Sequence, residues 1–151
     1  MKKTTRKKGP VVSKKVIYDG ITFASGLEKY MYKVLKNAKI DFRYEGETFE
    51  LQPPFLFKND CIERQSNGKG DYINRGNKKI SNMKYTPDFT SYDFIIETKG
   101  RANESFPLRW KMFKWLMALT CDQRTLYKPQ SQSECDATVE LIIKQRANDI
   151  R

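Results

Sequence analysis

Apolar residues along this chain follow helical spacing in some segments and strand-like alternation in others. A stripe at intervals of three and four residues predicts a helix over about Ser25–Ala38. The segment before it, Val16–Phe23, predicts a short β-hairpin with Asp19 and Gly20 in its middle. The alternation within Ile40–Leu51 predicts a strand.

The second half of the chain continues this mixture after a polar interruption. Between residues 58 and 84 glycine and asparagine accumulate and apolar periodicity fades, so we expect a long loop or insertion. Two strands, a helix, a strand and a helix are predicted to follow, at Tyr85–Phe89, Asp93–Lys99, Glu104–Leu119, Arg124–Tyr127 and Cys135–Arg146. This order predicts an α/β fold with a central mixed β-sheet flanked by helices, in a single domain over residues 16–151.

Positive charge is concentrated at the N-terminus of a chain whose net charge is +11. Seven cations precede the first acid: Lys2, Lys3, Arg6, Lys7, Lys8, Lys14 and Lys15. We expect residues 1–15 to form a flexible basic arm that binds a polyanion, most simply nucleic acid. The alternative is a solubilising tail. The 58–84 insertion is also basic, with seven Lys or Arg against three acids, and either contacts DNA or is simply solvated.

Composition excludes several classes of protein. No apolar run reaches the roughly 18 residues of a membrane span, and no hydrophobic block follows the basic N-terminus, so we expect a cytoplasmic protein without a membrane partner. The chain has no histidine, which excludes imidazole catalysis and histidine-based metal sites. Cys61, Cys121 and Cys135 are odd in number and widely spaced, so we expect reduced thiols.

Acidic residues and a lysine stand at both ends of a short apolar strand. In a strand the side chains of Glu97 and Lys99 share one face, and Asp88 lies one tight turn upstream, close enough to converge on Glu97. Two carboxylates beside an ammonium group suit hydrated Mg²⁺ and a phosphate. The structural alternative is an ordinary surface ion pair with Asp88 as a turn residue.

Glu28 allows two interpretations that the sequence alone leaves even. Ser25 and Glu28 match a capping box, in which the glutamate bonds back to the start of its own helix. Glu28 also lies at the margin of the buried stripe, where it could join a metal site. One carboxylate can rarely serve both purposes well.

Three segments in this order, Ala24–Glu28, Tyr85–Phe89 and Ile96–Gly100, resemble the motifs of the PD-(D/E)xK nuclease superfamily. More narrowly, they resemble phage Holliday-junction resolvases of the endonuclease I type, and the likeness covers about residues 21–127. The resemblance implies a restriction-endonuclease-like core with a catalytic set of Glu28, Asp88, Glu97 and Lys99. It also implies a homodimer whose subunits exchange elements, with Glu28 from one chain and the Asp88 group from its partner.

We therefore expect a Mg²⁺-dependent endodeoxyribonuclease of phage or mobile-element type that resolves branched DNA in recombination. Asp88, Glu97 and the Thr98 carbonyl would hold a first Mg²⁺ or Mn²⁺, and Glu28 a second ion or its water. Lys99, protonated among carboxylates, would orient the nucleophile and stabilise charge. Further candidate phosphate contacts are Arg101, Lys111 and Lys114, which could equally be solvated charges.

Two alternatives to a resolvase stay open at this point. One is a nuclease of the same superfamily that nicks linear DNA or cuts its ends. The other is a basic DNA-binding module without catalysis, whose carboxylates only pair with lysines. Product formation on addition of Mg²⁺ separates the second alternative from both nucleases.

Overall fold

The computed structural model describes residues 13–65 and 67–149, which form a mixed α/β structure of three helices and several small sheets. In chain order the elements are β1 (Val16–Tyr18), β2 (Ile21–Phe23), α1 (Gly26–Asn37), β3 (Arg43–Tyr44), β4 (Phe49–Gln52), β5 (Phe55–Phe57), β6 (Ile62–Glu63), β7 (Ile73–Asn74), β8 (Lys78–Ile80), β9 (Met83–Tyr85), β10 (Phe89–Thr90), β11 (Phe94–Ile96), α2 (Phe106–Leu119), β12 (Thr125–Tyr127) and α3 (Gln132–Asp149). None of these helices is both long enough and apolar enough to span a membrane.

The described chain divides into two compact units. The first, called the core unit here, comprises the chain up to Gly46, Pro87–Ala102 and the chain from Arg124 onward. The second, called the ribbon unit, comprises Glu47–Thr86 and Asn103–Gln123.

A four-stranded mixed sheet organises the core unit, in the order β12-β11-β10-β3. Strand β10 is antiparallel to both β11 and β3, and β11 is parallel to β12. Helices α1 and α3 pack against each other, and their apolar residues join the sheet in one core. The members of this core are Phe23, Met31, Tyr32, Leu35, Ile40, Phe89, Phe94, Ile96, Cys135, Val139 and Ile142. The prediction of a mixed sheet with helices is confirmed in this unit.

The first hairpin and the first helix lie where the sequence predicts them. Asp19 and Gly20 both have positive φ angles, 55° and 73°, as a two-residue hairpin turn requires. Helix α1 follows with Ser25 as its N-cap and buries Met31 and Leu35 on one face. Helix α3 is longer at both ends than predicted, whereas β12 lies within one residue of its prediction.

The single strand predicted over Ile40–Leu51 is wrong. The segment forms two strands, β3 and β4, which belong to different units. Between them the backbone leaves the extended region, because Glu45 has a φ of 46°. A Cβ at Gly46 would lie 2.5 Å from the Cβ of Arg43, so the turn is too tight for a larger residue.

Successive antiparallel pairs form the ribbon unit: β4 with β9, β5 with β8, and β6 with β7. The prediction of a long loop at 58–84 is therefore wrong, since this segment contains β6, β7, β8 and most of β9. Glycine at position 76 lets the backbone there approach the backbone of Asn59 closely. A Cβ at Gly76 would lie 1.9 Å from the carbonyl oxygen of Asn59. Helix α2 packs on β4, with the ring of Phe113 4.9 Å from that of Phe49.

Candidate functional site

The carboxylates of Asp88 and Glu97 stand opposite each other at one end of the β10–β11 pair. Phe89 is the cross-strand partner of Ile96, so one further step places Asp88 opposite Glu97. Glu97 is only 5% exposed. Burial, and then the charges of Glu97 and Glu28, raise the pKa of Asp88 to about 8, although hydrogen bonds from Thr98 act in the opposite direction. Glu97 and Glu28 are thus both close enough to repel a charged Asp88.

Thr98 fixes the side chain of Asp88. Its backbone amide and its hydroxyl both donate to Oδ2 of Asp88, at 2.7 and 2.6 Å. Because both donors go to the same oxygen, the other carboxyl oxygen lies outside this pair of bonds. Thr98 therefore holds the Asp88 carboxyl group in one orientation and makes no contact with Oδ1 through these two bonds.

The segment from Glu97 to Lys99 continues the ladder of β11 beyond the strand itself. The Glu97 amide donates to the Tyr127 carbonyl and the Lys99 amide to the Pro129 carbonyl, each at 3.0 Å. This extended backbone puts alternate side chains on one face. Nζ of Lys99 lies 3.6 Å from Oε1 of Glu97, which confirms the prediction that the two side chains share a face.

Glu28 serves as the acceptor of a capping arrangement at the start of α1. Its carboxylate accepts from the Ala24 amide at 3.0 Å and from the Ser25 hydroxyl at 2.9 Å, and the Ser25 hydroxyl accepts in return from the Glu28 amide. The capping interpretation is confirmed, although the amide bound belongs to Ala24 and not to Ser25. Tyr44 adds a third donor, its hydroxyl, at 2.8 Å.

A cavity of about 440 Å³ lies beside these groups within the core unit. It is lined by Ser13, Ala24, Ser25, Leu27, Glu28, Thr98, Lys99, Gly100 and Arg101. Lys99 and Arg101 contribute positive charge to a wall that also contains the Glu28 carboxylate. One chain thus places Glu28, Asp88, Glu97 and Lys99 in the same neighbourhood.

The other predicted DNA contacts fall in several segments of the chain. The predicted basic arm falls largely outside the described residues, and Lys2, Lys3, Arg6, Lys7 and Lys8 lie there. Lys14 and Lys15 are exposed just before β1. Lys111 and Lys114 are exposed on α2 in the ribbon unit, and the ammonium of Lys114 lies 5.7 Å from the ring centre of Trp110.

Two side chains of the site, those of Thr98 and Tyr44, make contacts that the sequence analysis does not predict. The Thr98 side chain was overlooked, although its place between Glu97 and Lys99 puts it beside the acids. Tyr44 is the cross-strand partner of Phe89, and its hydroxyl donates to Glu28 from β3. Because β3 has only two residues and ends in a left-handed turn, no local pattern indicated that orientation.

The donor chemistry of the site fits a small hard cation. Among residues 13–65 and 67–149, no three histidine, cysteine or acidic side chains are arranged to hold one metal ion together. Asp88 and Glu97 bring two carboxyl groups together, and the Thr98 carbonyl stays a predicted third donor. Mg²⁺ typically binds through one or two carboxylates and completes its shell with water and phosphate oxygens. A crowded, partly buried pair of carboxylates suits that mode of binding, whereas the oxygens of Glu28 already accept three hydrogen bonds.

Comparison with known proteins gives one match. The model of a family described as "Protein of unknown function (DUF1064)" matches residues 10–124, which is 115 of the 151 residues. This range includes Glu28, Asp88, Glu97 and Lys99. No curated protein and no solved structure matches the chain.

Proposed function

The chain belongs to the DUF1064 family, and for this member we propose metal-dependent hydrolysis of DNA phosphodiester bonds. The observation that carries the proposal is the grouping of Asp88, Glu97 and Lys99 at the end of one buried strand pair. A structural ion pair needs only one acid beside the lysine. A second acid that is partly buried and repelled by the first has a purpose if a cation binds between them.

Asp88 and Glu97 would hold the divalent ion, with the Thr98 carbonyl as a third donor. When bound, such an ion activates a water molecule and neutralises charge that develops on the phosphate. Thr98 orients Asp88 through two hydrogen bonds, so little rearrangement is needed on binding. Glu28 holds the start of α1 against the site, and its role as a metal ligand stays a prediction.

Lys99 and Arg101 would act on the phosphate itself. The ammonium of Lys99 is held near the carboxylates by Glu97, where it can donate to a phosphate oxygen and orient the attacking water. Arg101 lines the neighbouring cavity and can bind a second phosphate oxygen or the adjacent phosphate. These contacts place the scissile phosphate beside the carboxylates without reading any base.

DNA is the proposed substrate because of the charge of the chain. A net charge of +11 favours a polyanion of phosphates, and phosphate contacts carry most of such binding. Branched DNA is the first candidate, since three separate motifs resemble those of Holliday-junction resolvases. Nicking or cutting of linear DNA is the second candidate, because a grouping of carboxylates and lysine within one chain does not require the exchanged dimer.

The decisive experiment compares cleavage of a labelled four-way junction with cleavage of a linear duplex of the same sequence, with Mg²⁺, with Mn²⁺ and with chelator. Asp88→Asn and Glu97→Gln remove charge but keep the size of the side chain, and we expect each to slow cleavage by roughly 10³-fold or more. Lys99→Met should have a similar effect. Glu140→Gln, an exposed acid on α3, is the matched control and should cut like the wild type.

Binding of Mn²⁺ to the protein alone, followed by electron paramagnetic resonance, gives a second measurement. Asp88→Asn and Glu97→Gln should lose the bound ion, and Glu140→Gln should keep it. The proposal fails if the wild type yields no product with either metal on any substrate, or if the variants cut as fast as the control. Equal cutting of junction and linear duplex would favour the second candidate.

A further inference from the structure

The hairpin of β6 and β7 exposes a tyrosine beside an arginine. Glu63 is the cross-strand partner of Ile73. One further step in the same register places Arg64 opposite Tyr72, and the guanidinium carbon of Arg64 lies 4.4 Å from the centre of the Tyr72 ring. Tyr72 is nevertheless 62% exposed. The ring therefore keeps surface for a second stacking partner.

The two faces of this hairpin differ in charge. Because side chains alternate along a strand, Ile62, Arg64 and Tyr72 share one face, called the Tyr72 face here. Glu63 lies on the other face, where its carboxylate is 3.8 Å from Nε of Arg75. Among the residues that the structure describes, no carboxylate forms an ion pair with Arg64. The Tyr72 face thus presents an aromatic ring, an aliphatic side chain and a positive charge.

Side-chain hydrogen bonds hold together the hairpin that carries the Tyr72 face. Oδ1 of Asn74 accepts from the backbone amides of Cys61 and Gly76, at 3.1 and 2.9 Å. Nδ2 of Asn74 donates to Asp60 at 2.7 Å. A short two-stranded hairpin is only marginally stable by itself, so these bonds define where Tyr72 is held.

A second tyrosine–arginine pair, in the core unit, provides a structural comparison. The guanidinium carbon of Arg146 lies 4.9 Å from the ring centre of Tyr92, which is 77% exposed. Asp93 accepts two hydrogen bonds from that guanidinium, at 2.6 and 2.8 Å, so the charge of Arg146 is already neutralised within the protein. The guanidinium of Arg64 is not neutralised in this way within the described part of the chain, and it is available to an anion.

We propose that the Tyr72 face binds an unpaired base of DNA, which stacks on the Tyr72 ring while Arg64 binds the adjacent phosphate. Stacking requires a base with an open face, and within a duplex both faces of a base are covered by its neighbours. An aromatic side chain combined with positive charge is a general means by which proteins hold single strands. The site takes a base of any type, since every base has a face that can stack.

This inference rests on the proposed function for the choice of DNA, and it adds a preference that phosphate contacts alone do not give. Contacts from lysine to phosphate are made to paired and unpaired DNA alike. A stacked base distinguishes the two. The Tyr72 face therefore favours forks, flaps and single strands over intact duplex.

Fluorescence anisotropy without divalent metal tests this site separately from cleavage. Labelled oligodeoxythymidine is compared with an abasic strand of the same length, which has the same phosphates and no bases. The wild type should bind the thymidine strand more tightly. Tyr72→Ala should weaken that binding by roughly 5- to 150-fold, the factor that corresponds to about 1–3 kcal/mol of stacking, and should leave binding of the abasic strand within about twofold. Tyr72→Phe keeps an aromatic ring and should bind both strands like the wild type.

Two further variants separate stacking from charge. Tyr92→Ala is the matched control, because it removes the other exposed tyrosine that has an arginine over its ring, and it should bind both strands like the wild type. Arg64→Gln should weaken binding of both strands and lower the slope of log affinity against log salt concentration by up to about 0.7. Circular dichroism verifies that each variant is folded.

Three results would overturn the site. The wild type could bind the two strands equally, or Tyr72→Ala could bind the thymidine strand like the wild type. Tyr72→Ala could also lose the same factor on both strands, which would mean that the substitution acts on phosphate contacts and not on a stacked base.

Photo-cross-linking identifies the contact directly. A strand that contains 5-iododeoxyuridine should cross-link to Tyr72 on irradiation, as located by mass spectrometry, and cross-links confined to other segments would overturn the assignment. A chain that passes these tests and cuts no DNA keeps the Tyr72 site and loses the proposed nuclease. A chain that cuts DNA and binds the two strands equally keeps the nuclease and loses the site.

Discussion

The core unit and the ribbon unit use apolar residues in different ways. The core unit buries its large side chains around one centre, and Phe23, Phe89 and Ile96 have no exposed surface. In the ribbon unit the strand residues Leu56 and Ile62 are 58% and 62% exposed. The core unit also buries Glu28 and Glu97, and it can do so because Glu28 accepts hydrogen bonds and Glu97 has the ammonium of Lys99 beside it.

This difference indicates which unit can hold ionisable groups at fixed distances and which unit can offer a wide contact surface. Buried ionisable groups need a rigid setting that fixes their distances, and the core unit provides one. Apart from β4 and β9, which pack with α2 around the buried ring of Phe113, the ribbon pairs its strands mainly through the backbone and leaves side chains available at its surface. We therefore place the proposed reaction in the core unit and a proposed contact role in the ribbon unit, and the following predictions test that division.

The largest effect on stability is expected from the centre of the core unit. Phe89→Ala removes a fully buried ring that packs on Phe42 and Tyr44, and it should lower the free energy of unfolding by about 3–5 kcal/mol. Ile62→Ala in the ribbon unit should lower the free energy of unfolding by less than about 0.5 kcal/mol. Urea denaturation of both variants makes the comparison, and similar losses would contradict the division.

An ion pair in each unit gives the next comparison. In the core unit Arg146 donates to Asp93 through Nε at 2.6 Å and Nη2 at 2.8 Å, and the pair is mostly buried. In the ribbon unit Arg75 lies 3.8 Å from Glu63, and both are exposed. Arg146→Gln should lose about 2 kcal/mol of stability at neutral pH, whereas Arg75→Gln should lose about 0–0.5 kcal/mol.

The pH dependence of the Arg146 effect follows from the partner carboxyl. Hydrogen bonds from Arg146 hold the pKa of Asp93 below its usual range. The folded state therefore keeps this carboxylate charged at a lower pH than the unfolded chain does, and the stabilisation is complete above about pH 5. It should disappear as the pH falls through the lowered pKa. A difference between wild type and Arg146→Gln that stayed constant into strong acid would contradict this account.

The elements that the sequence predicted well are those with signals inside one segment. Helix α1 has an apolar stripe and a capping serine, and both are confirmed. The opposition of Asp88 and Glu97 followed from a short hairpin, because local register fixes which residues face each other. The sequence alone therefore predicted which residues of these segments meet in the candidate site.

The remaining features depend on pairing between distant segments. Strands β6 and β7 have only two residues each, too few to show alternation, and their pairing comes from backbone bonds and from the Asn74 side chain, which accepts from the Cys61 amide. In Ile40–Leu51 the apolar residues stand at even positions up to Tyr44 and at odd positions from Phe49, so the alternation changes phase at the turn, and the prediction of a single strand missed this shift. On α3, Ile142 is buried while its apolar neighbours Leu141 and Ile143 are half-exposed, because one helix turns only one face to the core.

A partly buried tyrosine and an exposed one provide a smaller contrast. Tyr44→Phe removes the donor to Glu28 and should lower stability by about 1 kcal/mol, while Tyr72→Phe on the exposed ribbon should change nothing measurable. If Glu28 mainly caps α1, Tyr44→Phe should leave metal-dependent cleavage within about threefold of wild type. A much larger loss of cleavage would indicate that Glu28 acts in the reaction and that Tyr44 positions it.

The smallest effect on folding, and a distinct effect on binding, is expected at the surface of the ribbon. Lys78 and Lys79 are consecutive residues of β8, so their side chains point to opposite faces of the strand, and both are exposed. The double variant Lys78→Gln/Lys79→Gln should unfold like the wild type, because neither side chain is buried. If the ribbon contacts DNA, each lysine that neutralises a phosphate contributes about 0.9 to the slope of log affinity against log salt concentration.

Fluorescence anisotropy with labelled duplex at several salt concentrations measures this slope. We expect the double variant to lose up to about 2 units of slope, in proportion to the phosphates released, while cleavage at saturating protein stays unchanged. Lys144→Gln, an exposed lysine on α3, controls for the loss of one charge anywhere on the chain. An unchanged slope in the double variant would mean that these ribbon lysines are solvated and that DNA is held elsewhere. A loss of cleavage at saturation would instead tie the ribbon to the reaction and break the division between the two units.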